Sequence, residues 1–369
     1  MQIFFFGHYG KKNMGDEAMI NVLLYESSKY FSSNNFAIFS PTDIELPEIK
    51  NHVKFVGPKI LELFREIKNS SIFIVGGGTQ FYDYGPGLER FSILFKIFLI
   101  LLFAKLFCQN IYFLGIGVEK PKKIWSKLLI KYSHEISDFI SVRDENSFKV
   151  LKELQINTET ILSFDLVSLL KFPSEKLCHK NNKILGISIM PYFYIKNGEE
   201  NKDNAFVEAL ASTINDWMKK NHRWSIELFV FNDNDRYGDR QITENLKSLI
   251  HEQDKVNLNY YNSNFYEILS LIGMCNAFIG MRYHSCLFAG LLKVPLLVIG
   301  LFEKNKSFIN EIGLNKTSLI STDEILNGKL EEYLFLIEKE PDNFLSRNSI
   351  DNFKERTEKS FKILSRCNK

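Results

Sequence analysis

Short apolar runs alternate with amphipathic segments in two successive series along this chain, and no other feature limits its fold as much. In the first half, Gln2 to Phe6, Phe36 to Phe39, Ser71 to Val75, Ile111 to Leu114 and Phe139 to Val142 read as strands. Glu17 to Tyr30, Ile60 to Lys68, Lys122 to His134 and Ser147 to Leu154 read as helices between and after them. A second series follows, with strands at Ile184 to Ile189, Ser225 to Phe231, Ala277 to Gly280 and Pro295 to Ile299. Its helices are Ala205 to Lys219, Gln241 to His251, Phe265 to Met274 and Tyr283 to Leu292. Strands that alternate with helices make a parallel sheet covered on both faces. The expected class is therefore α/β, with two Rossmann-like domains facing across a cleft. The polar segment Lys171 to Lys183 is the expected linker, giving one domain over 1–172, a second over 183–345 and a terminal charged helix over 346–369.

The bulk properties exclude several classes. A chain of 369 residues that is 45% hydrophobic can bury two cores. A net charge of +2 provides no global field to draw in nucleic acid, so any basic site must be local. The five cysteines, Cys108, Cys178, Cys275, Cys286 and Cys367, are scattered without a CxxC pair, which argues against a disulfide framework or a structural zinc site and for a reducing cytoplasm. Met1 to Gly7 lacks the basic flank of a signal peptide and reads as a first buried strand.

Residues 91–107 are almost wholly apolar, broken only by Ser92, Lys96 and Lys105. Spanning a bilayer takes ~20 apolar residues, and a central lysine is costly there. A helix packed on the sheet is the favoured reading. The second reading is peripheral membrane contact through 91–107, with the lysines snorkelling and the protein at the inner face of the membrane.

Five motifs follow strands, where open parallel sheets bind their ligands. Gly7 to Ala18 opens a helix; its Asn13 and Asp16 are either caps or partners for sugar hydroxyls, and the stretch is neither a GxGxxG nor a P-loop. Gly76-Gly77-Gly78-Thr79-Gln80-Phe81-Tyr82-Asp83 places three glycines, which admit close backbone approach, before a polar cluster. In Val142-Arg143-Asp144 a structural Arg–Asp pair with a helix cap is favoured. Gly280-Met281-Arg282-Tyr283-His284 sets an arginine fork and a proton carrier at a helix N-terminus, where the dipole favours an anion. Gly300 to Phe308 brings Lys304 and Lys306, as cleft charges or as a solvated loop. Asn232 to Asp235 follows another strand and is equally a loop or a cleft wall.

In this order the motifs resemble the polysaccharide pyruvyl transferase family, from about Phe6 to about Phe308. Asn13-Met14-Gly15-Asp16-Glu17 is similar to its N-x-G-D-E signature, and Gly76-Gly77-Gly78 with Asp83 to its glycine-rich turn. Gly115-Ile116-Gly117 and Val142-Arg143-Asp144 resemble its middle motifs. Arg282-Tyr283-His284 resembles its R-x-H, with Tyr283 where leucine is usual, and Lys304 stands where a lysine is common. The resemblance implies a GT-B-like fold and transfer of a pyruvyl group from phosphoenolpyruvate to sugar hydroxyls of a cell-surface or exopolysaccharide glycan or its precursor, free or lipid-linked. Phosphoenolpyruvate enters as co-substrate, with no cofactor and no metal. The implied catalytic residues are His284 and Arg282. Arg282, Lys304 and His284 would hold the donor in the second domain, and Asn13, Asp16, Gly77, Gly78, Thr79 and Asp83 the acceptor in the first. A GT-B glycosyltransferase using a nucleotide sugar, and a non-enzymatic glycan-binding member of the fold, are the alternatives.

Overall fold

The computed structural model describes residues 1–369 apart from 32–34, 47–48, 50–51, 84–88, 173–182, 235–236, 301–302 and 369, and apart from the side chains of 303–307 and 368. The described residues divide into two compact units. Unit 1 is Met1–Lys11, Asp16–Leu170 and Ser349–Lys369; unit 2 is Lys12–Gly15 and Lys171–Asn348. The chain thus departs from a simple division at 172: four residues near the N-terminus belong to unit 2, and the terminal helix belongs to unit 1. Most of the linker read at Lys171 to Lys183 lies outside the described residues, as do Cys178 and Asp235. The other four cysteines are free.

Unit 1 is built on strands β1 (Gln2–Phe6), β2 (Asn35–Phe39), β3 (Val53–Val56), β4 (Ile72–Gly76), β5 (Thr79–Phe81), β6 (Asn110–Val118), β7 (Phe139–Val142) and β8 (Thr160–Leu162). They pair in parallel in the order β3-β2-β1-β4-β6-β7-β8, with β5 beside β6. Helices α1 (Met14–Tyr30), α2 (Ile60–Lys68), α3 (Glu89–Phe107), α4 (Ile124–Glu135) and α5 (Glu145–Glu153) connect them. The uninterrupted apolar run of β1 is what a strand covered on both faces requires. Phe4 lies opposite Phe73 in the register, their rings stacked at 5.4 Å, and Phe81 stacks on Phe113 at 5.8 Å. Each such ring contributes roughly 1.5–3 kcal/mol on full burial, so much of the chain's phenylalanine is committed to this core.

Unit 2 repeats the plan with β9 (Lys183–Ser188), α6 (Tyr192–Asn197), α7 (Glu200–Lys220), β10 (Trp224–Val230), α8 (Arg240–Leu249), β11 (Val256–Tyr260), α9 (Phe265–Met274), β12 (Ala277–Gly280), α10 (Tyr283–Leu291), β13 (Leu296–Ile299), α11 (Glu303–Ile312), β14 (Leu319–Ile320), α12 (Thr322–Leu326) and α13 (Leu330–Lys339). The parallel order is β11-β10-β9-β12-β13-β14, so the winding reverses between β9 and β12. Both units are therefore parallel α/β layers, as the alternation predicts.

Strands β3, β5, β8, β11 and β14 were not legible as strands because they are short or polar. In the edge strand β11, Asn257 and Asn259 donate to the carboxylate of Glu227 on β10 at 2.8 and 2.7 Å. A polar ladder of this kind leaves no hydrophobic pattern. The terminal helix α14 (Ile350–Phe361) packs in unit 1: Phe353 stacks on Phe164 at 4.1 Å, and Ser360 Oγ donates to Ser163 Oγ at 2.7 Å. Helix α3 buries Leu94, Ile97, Leu101 and Ala104 against the sheet and leaves its other face exposed. Among the described residues no helix is long and apolar enough to cross a membrane.

Candidate functional site

The reversal of winding in unit 2 puts the ends of β9 and β12 side by side, with β10 beyond β9. Loops at such a point splay apart and leave room for a ligand. Here Met281 N donates to Ser188 O at 2.9 Å, fixing the β12 turn on the end of β9. Gly280 admits the close turn: a β-carbon there would lie 2.6 Å from Cys286 Sγ. Arg282 is then the N-cap residue of α10, and His284 sits in that helix's first turn.

The Arg282 guanidinium meets a carboxylate the sequence reading overlooked. Its Nε lies 2.7 and 2.6 Å from the two oxygens of Asp239, and its Nη2 donates to Tyr237 O at 3.0 Å. Asp239 is fully buried and also accepts from Asn232 N at 3.1 Å. Burial pushes the Asp239 carboxyl above its ordinary range, and the Arg282 charge and guanidinium hydrogen bonds pull against that shift. Among the described residues, Arg282 is therefore paired with Asp239 and oriented through Nε and Nη2. Asp239 escaped notice because an aspartate just before a helical pattern is an ordinary cap; here it forms no side-chain cap bond.

The residues of the Asn13-to-Glu17 signature divide between the units. Met14 N donates to Phe231 O and Asp233 N to Lys12 O, both at 2.9 Å, and Asn13 bridges Asn232 in antiparallel fashion. This weaves residues 12–15 into the loop that carries Asp239. Gly15 lies against His284: a β-carbon at Gly15 would fall 2.1 Å from His284 Nδ1. Only glycine permits that approach. The His284 ring is half-buried, edge-on to Tyr283 at 5.4 Å and tilted over Phe288 at 6.1 Å. Asn13, expected in the first domain, therefore belongs to unit 2, where its Oδ1 caps α1 by accepting from Gly15 N at 3.1 Å.

In unit 1 the glycine-rich turn has the backbone that glycine suits, with φ of 62° at Gly77 and 70° at Gly78. A β-carbon on Gly78 would lie 3.4 Å from Asp16 Oδ1, so that carboxylate borders the turn. The polar residues that follow have structural partners. Thr79 Oγ1 accepts from Arg143 Nη2 at 2.7 Å, and Arg143 Nη1 pairs with the fully buried Asp165 at 3.1 Å. Asp144 caps α5 through Ser147 N, in line with the favoured structural reading of that motif. Asp83 Oδ2 accepts from Lys122 N, Lys123 N and Ser126 Oγ at 2.7, 2.8 and 2.7 Å. Burial alone would raise the Asp83 carboxyl, yet the Ser126 hydroxyl and the Lys123 and Lys122 N–H groups hold it below its ordinary range. Asp83, expected to bind the acceptor, thus also anchors the start of α4 through Oδ2.

Lys304 lies on α11, and its side chain, like that of Lys306, is outside the described residues. Near the ends of β9, β13 and β14, Tyr192, Lys196, Asn197, Lys202, Gly300 and Thr322 line a pocket of about 210 Å³. Lys196 Nζ donates to Tyr192 OH at 2.8 Å on its wall. Among the described residues no group of three or more His, Cys, Asp or Glu is placed to hold a metal ion.

The profile of the family described as polysaccharide pyruvyl transferase matches residues 13–301, from Asn13 through the Arg282–His284 turn. The chain belongs to the polysaccharide pyruvyl transferase family. It is thus a member of a transferase family of polysaccharide biosynthesis, with Lys304 just beyond the matched stretch. The fold is that of the GT-B enzymes. UDP-GlcNAc 2-epimerase from Methanocaldococcus jannaschii superposes with a TM-score of 0.64 at 13% identity, over 99% of this chain and 99% of that one. UDP-GlcNAc 2-epimerase from Neisseria meningitidis, bound to UDP-GlcNAc, gives 0.60 at 14% identity over 99% of each chain. WaaG, a glycosyltransferase involved in lipopolysaccharide biosynthesis, gives 0.56 at 10% identity over 99% of this chain and 100% of that one. No curated relative matches the sequence significantly.

Proposed function

We propose that this family member transfers a pyruvyl group from phosphoenolpyruvate to hydroxyls of a glycan or its lipid-linked precursor. The observation that carries the reading is the β12–α10 turn of unit 2, where a pre-oriented arginine and a histidine stand two residues apart with Gly15 of the N-terminal signature pressed against the imidazole. Phosphoenolpyruvate carries a phosphate and a carboxylate. The Arg282 guanidinium and the N-terminus of α10 are suited to one anionic group, and Lys304 is the second cation of the proposal.

In this scheme the His284 imidazolium gives its proton to the donor's methylene carbon, leaving oxocarbenium character at C2. A sugar hydroxyl adds to C2, and its proton returns to the imidazole. The bond from C2 to the phosphate oxygen then breaks, with its electron pair leaving on phosphate. Addition of a second hydroxyl at C2 closes a cyclic ketal, with that proton passing to the departing phosphate. On the acceptor side, Asp16, whose carboxylate borders the Gly77–Gly78 turn, is the candidate in unit 1.

The test supplies labelled phosphoenolpyruvate with a panel of glycan acceptors. Acceptor-dependent phosphate release is expected. UDP or GDP formation from nucleotide sugars, with no phosphate release, would overturn the reading in favour of glycosyl transfer. His284→Ala should lower turnover by roughly 10²–10⁴-fold, the usual worth of a positioned proton carrier, without changing thermal unfolding. Gly15→Ala should displace the imidazole and cost on the order of 10²-fold; full activity in either variant would remove His284 from the chemistry.

A further inference from the structure

Ten of the fifteen exposed large apolar side chains among the described residues fall on three adjacent helices of unit 1, α2, α3 and α4. Helix α3 carries two apolar stripes. One, with Leu94, Ile97 and Leu101, is buried on the sheet. The other, Phe95, Leu99, Leu102 and Leu106, is 41–76% exposed. At ~100° per residue the exposed stripe lies roughly opposite the buried one, and Lys96 and Lys105 flank it roughly 90° to either side. A second exposed stripe, Ile124, Leu128 and Tyr132, runs along α4. Phe91 of α3 meets Trp125 of α4 edge-on at 5.2 Å, and Phe64 of α2 stacks on Phe103 at 4.3 Å, so the three helices form one layer. Sheet packing accounts for the buried stripe and leaves the exposed ones without a reason.

Charge decides what fits this layer. Residues 89–135 hold seven lysines and one arginine against three glutamates, whereas the whole chain is only +2. Lys105 pairs with Asp138 at 2.8 Å and Lys131 with Glu135 at 3.7 Å. Lys96, Lys122, Lys123 and Lys127 are exposed, and the Lys123 ammonium lies 5.4 Å over the Trp125 ring. Apolar stripes bordered by lysines, with a tryptophan between helices, match an anionic bilayer surface: the apolar side chains enter the acyl boundary and the ammonium groups reach the headgroups. A second copy on a two-fold axis would instead set lysine against lysine.

We infer that unit 1 docks on an anionic lipid bilayer through the α2–α3–α4 layer, lying on the surface without spanning it. The inference rests on unit 1 alone and stands apart from the reaction proposed above. It is tested by flotation of the full chain with vesicles of phosphatidylcholine alone and of phosphatidylcholine mixed with phosphatidylglycerol, at low and high salt. Binding to the mixed vesicles is expected, with partitioning about tenfold or more weaker on pure phosphatidylcholine and in high salt. A Leu99→Gln, Leu102→Gln, Leu106→Gln variant and a Lys96→Gln, Lys123→Gln, Lys127→Gln variant should each lose about tenfold or more in partitioning. These side chains are exposed, so thermal unfolding should be unchanged. Wild type that stays in solution with the mixed vesicles overturns the inference, as does flotation of the leucine variant equal to wild type. A dimer in light scattering that the leucine substitutions abolish would assign the face to a second copy instead.

Discussion

Two glycine-bearing turns at strand ends, one in each unit, carry similar polar clusters in the sequence and have different fates in the structure. The turn after β4 ties its polar residues to the scaffold: Thr79 holds Arg143, and Asp83 anchors the start of α4. The turn after β12 holds Arg282 through Asp239 and sets His284, half-buried, against Gly15. The same contrast separates two histidines. His134 of unit 1 is fully buried between Phe81 and Phe113, at 4.5 and 5.2 Å, and burial pushes it down to about 4, so it is neutral at physiological pH. Which partners a polar residue beside glycine meets is decided by the fold, and sequence composition does not record that.

Three substitutions probe the contrast. The largest effect is expected for Asp239→Ala. It strands the Arg282 guanidinium, whose side chain is 15% exposed, without its buried partner. Loss of one member of such a pair costs about 3–5 kcal/mol, measurable by urea unfolding. A loss below ~1 kcal/mol would mean that Asp239 does not hold Arg282 in place.

Next in size is the acid limb of stability. The unfolded His134 takes up a proton near its ordinary value of 6.5, whereas the folded one does so only at about 4. Between these values the unfolded state binds more protons, so this contribution is complete above the higher value and is lost as pH falls toward the lower. It amounts to roughly 3 kcal/mol at most. His134→Leu should flatten the decline in unfolding free energy between pH 7 and pH 5; an unchanged slope would show that His134 is already protonated in the fold.

The smallest effect belongs to Asp83→Ala, which removes the anchor of α4. About 1–2 kcal/mol of stability should be lost, with KM for the acceptor unchanged. A raised KM in a stably folded variant would place Asp83 in the acceptor site and weaken the contrast between the two turns.

The class of fold was legible because buried parallel strands need continuous apolar runs, and β1, β4 and β12 supply them. The polar edge strand β11 was not legible, since its pairing runs through Asn257, Asn259 and Glu227. In the site, Arg282 and His284 were visible as a local pair on one turn. Asp239, 43 residues from Arg282, was not.

The sequence by itself determined the two series of parallel strands, the family and the turn on which Arg282 and His284 stand, because periodicity and short motifs are local properties. Only the tertiary structure decided that residues 12–15 belong beside His284, that Asp239 compensates Arg282, and that Asp83 anchors the start of α4. It also decided that the apolar run of α3 has two faces, one buried and one exposed. Each of these depends on contacts between distant segments, and such contacts form only when the sheets assemble.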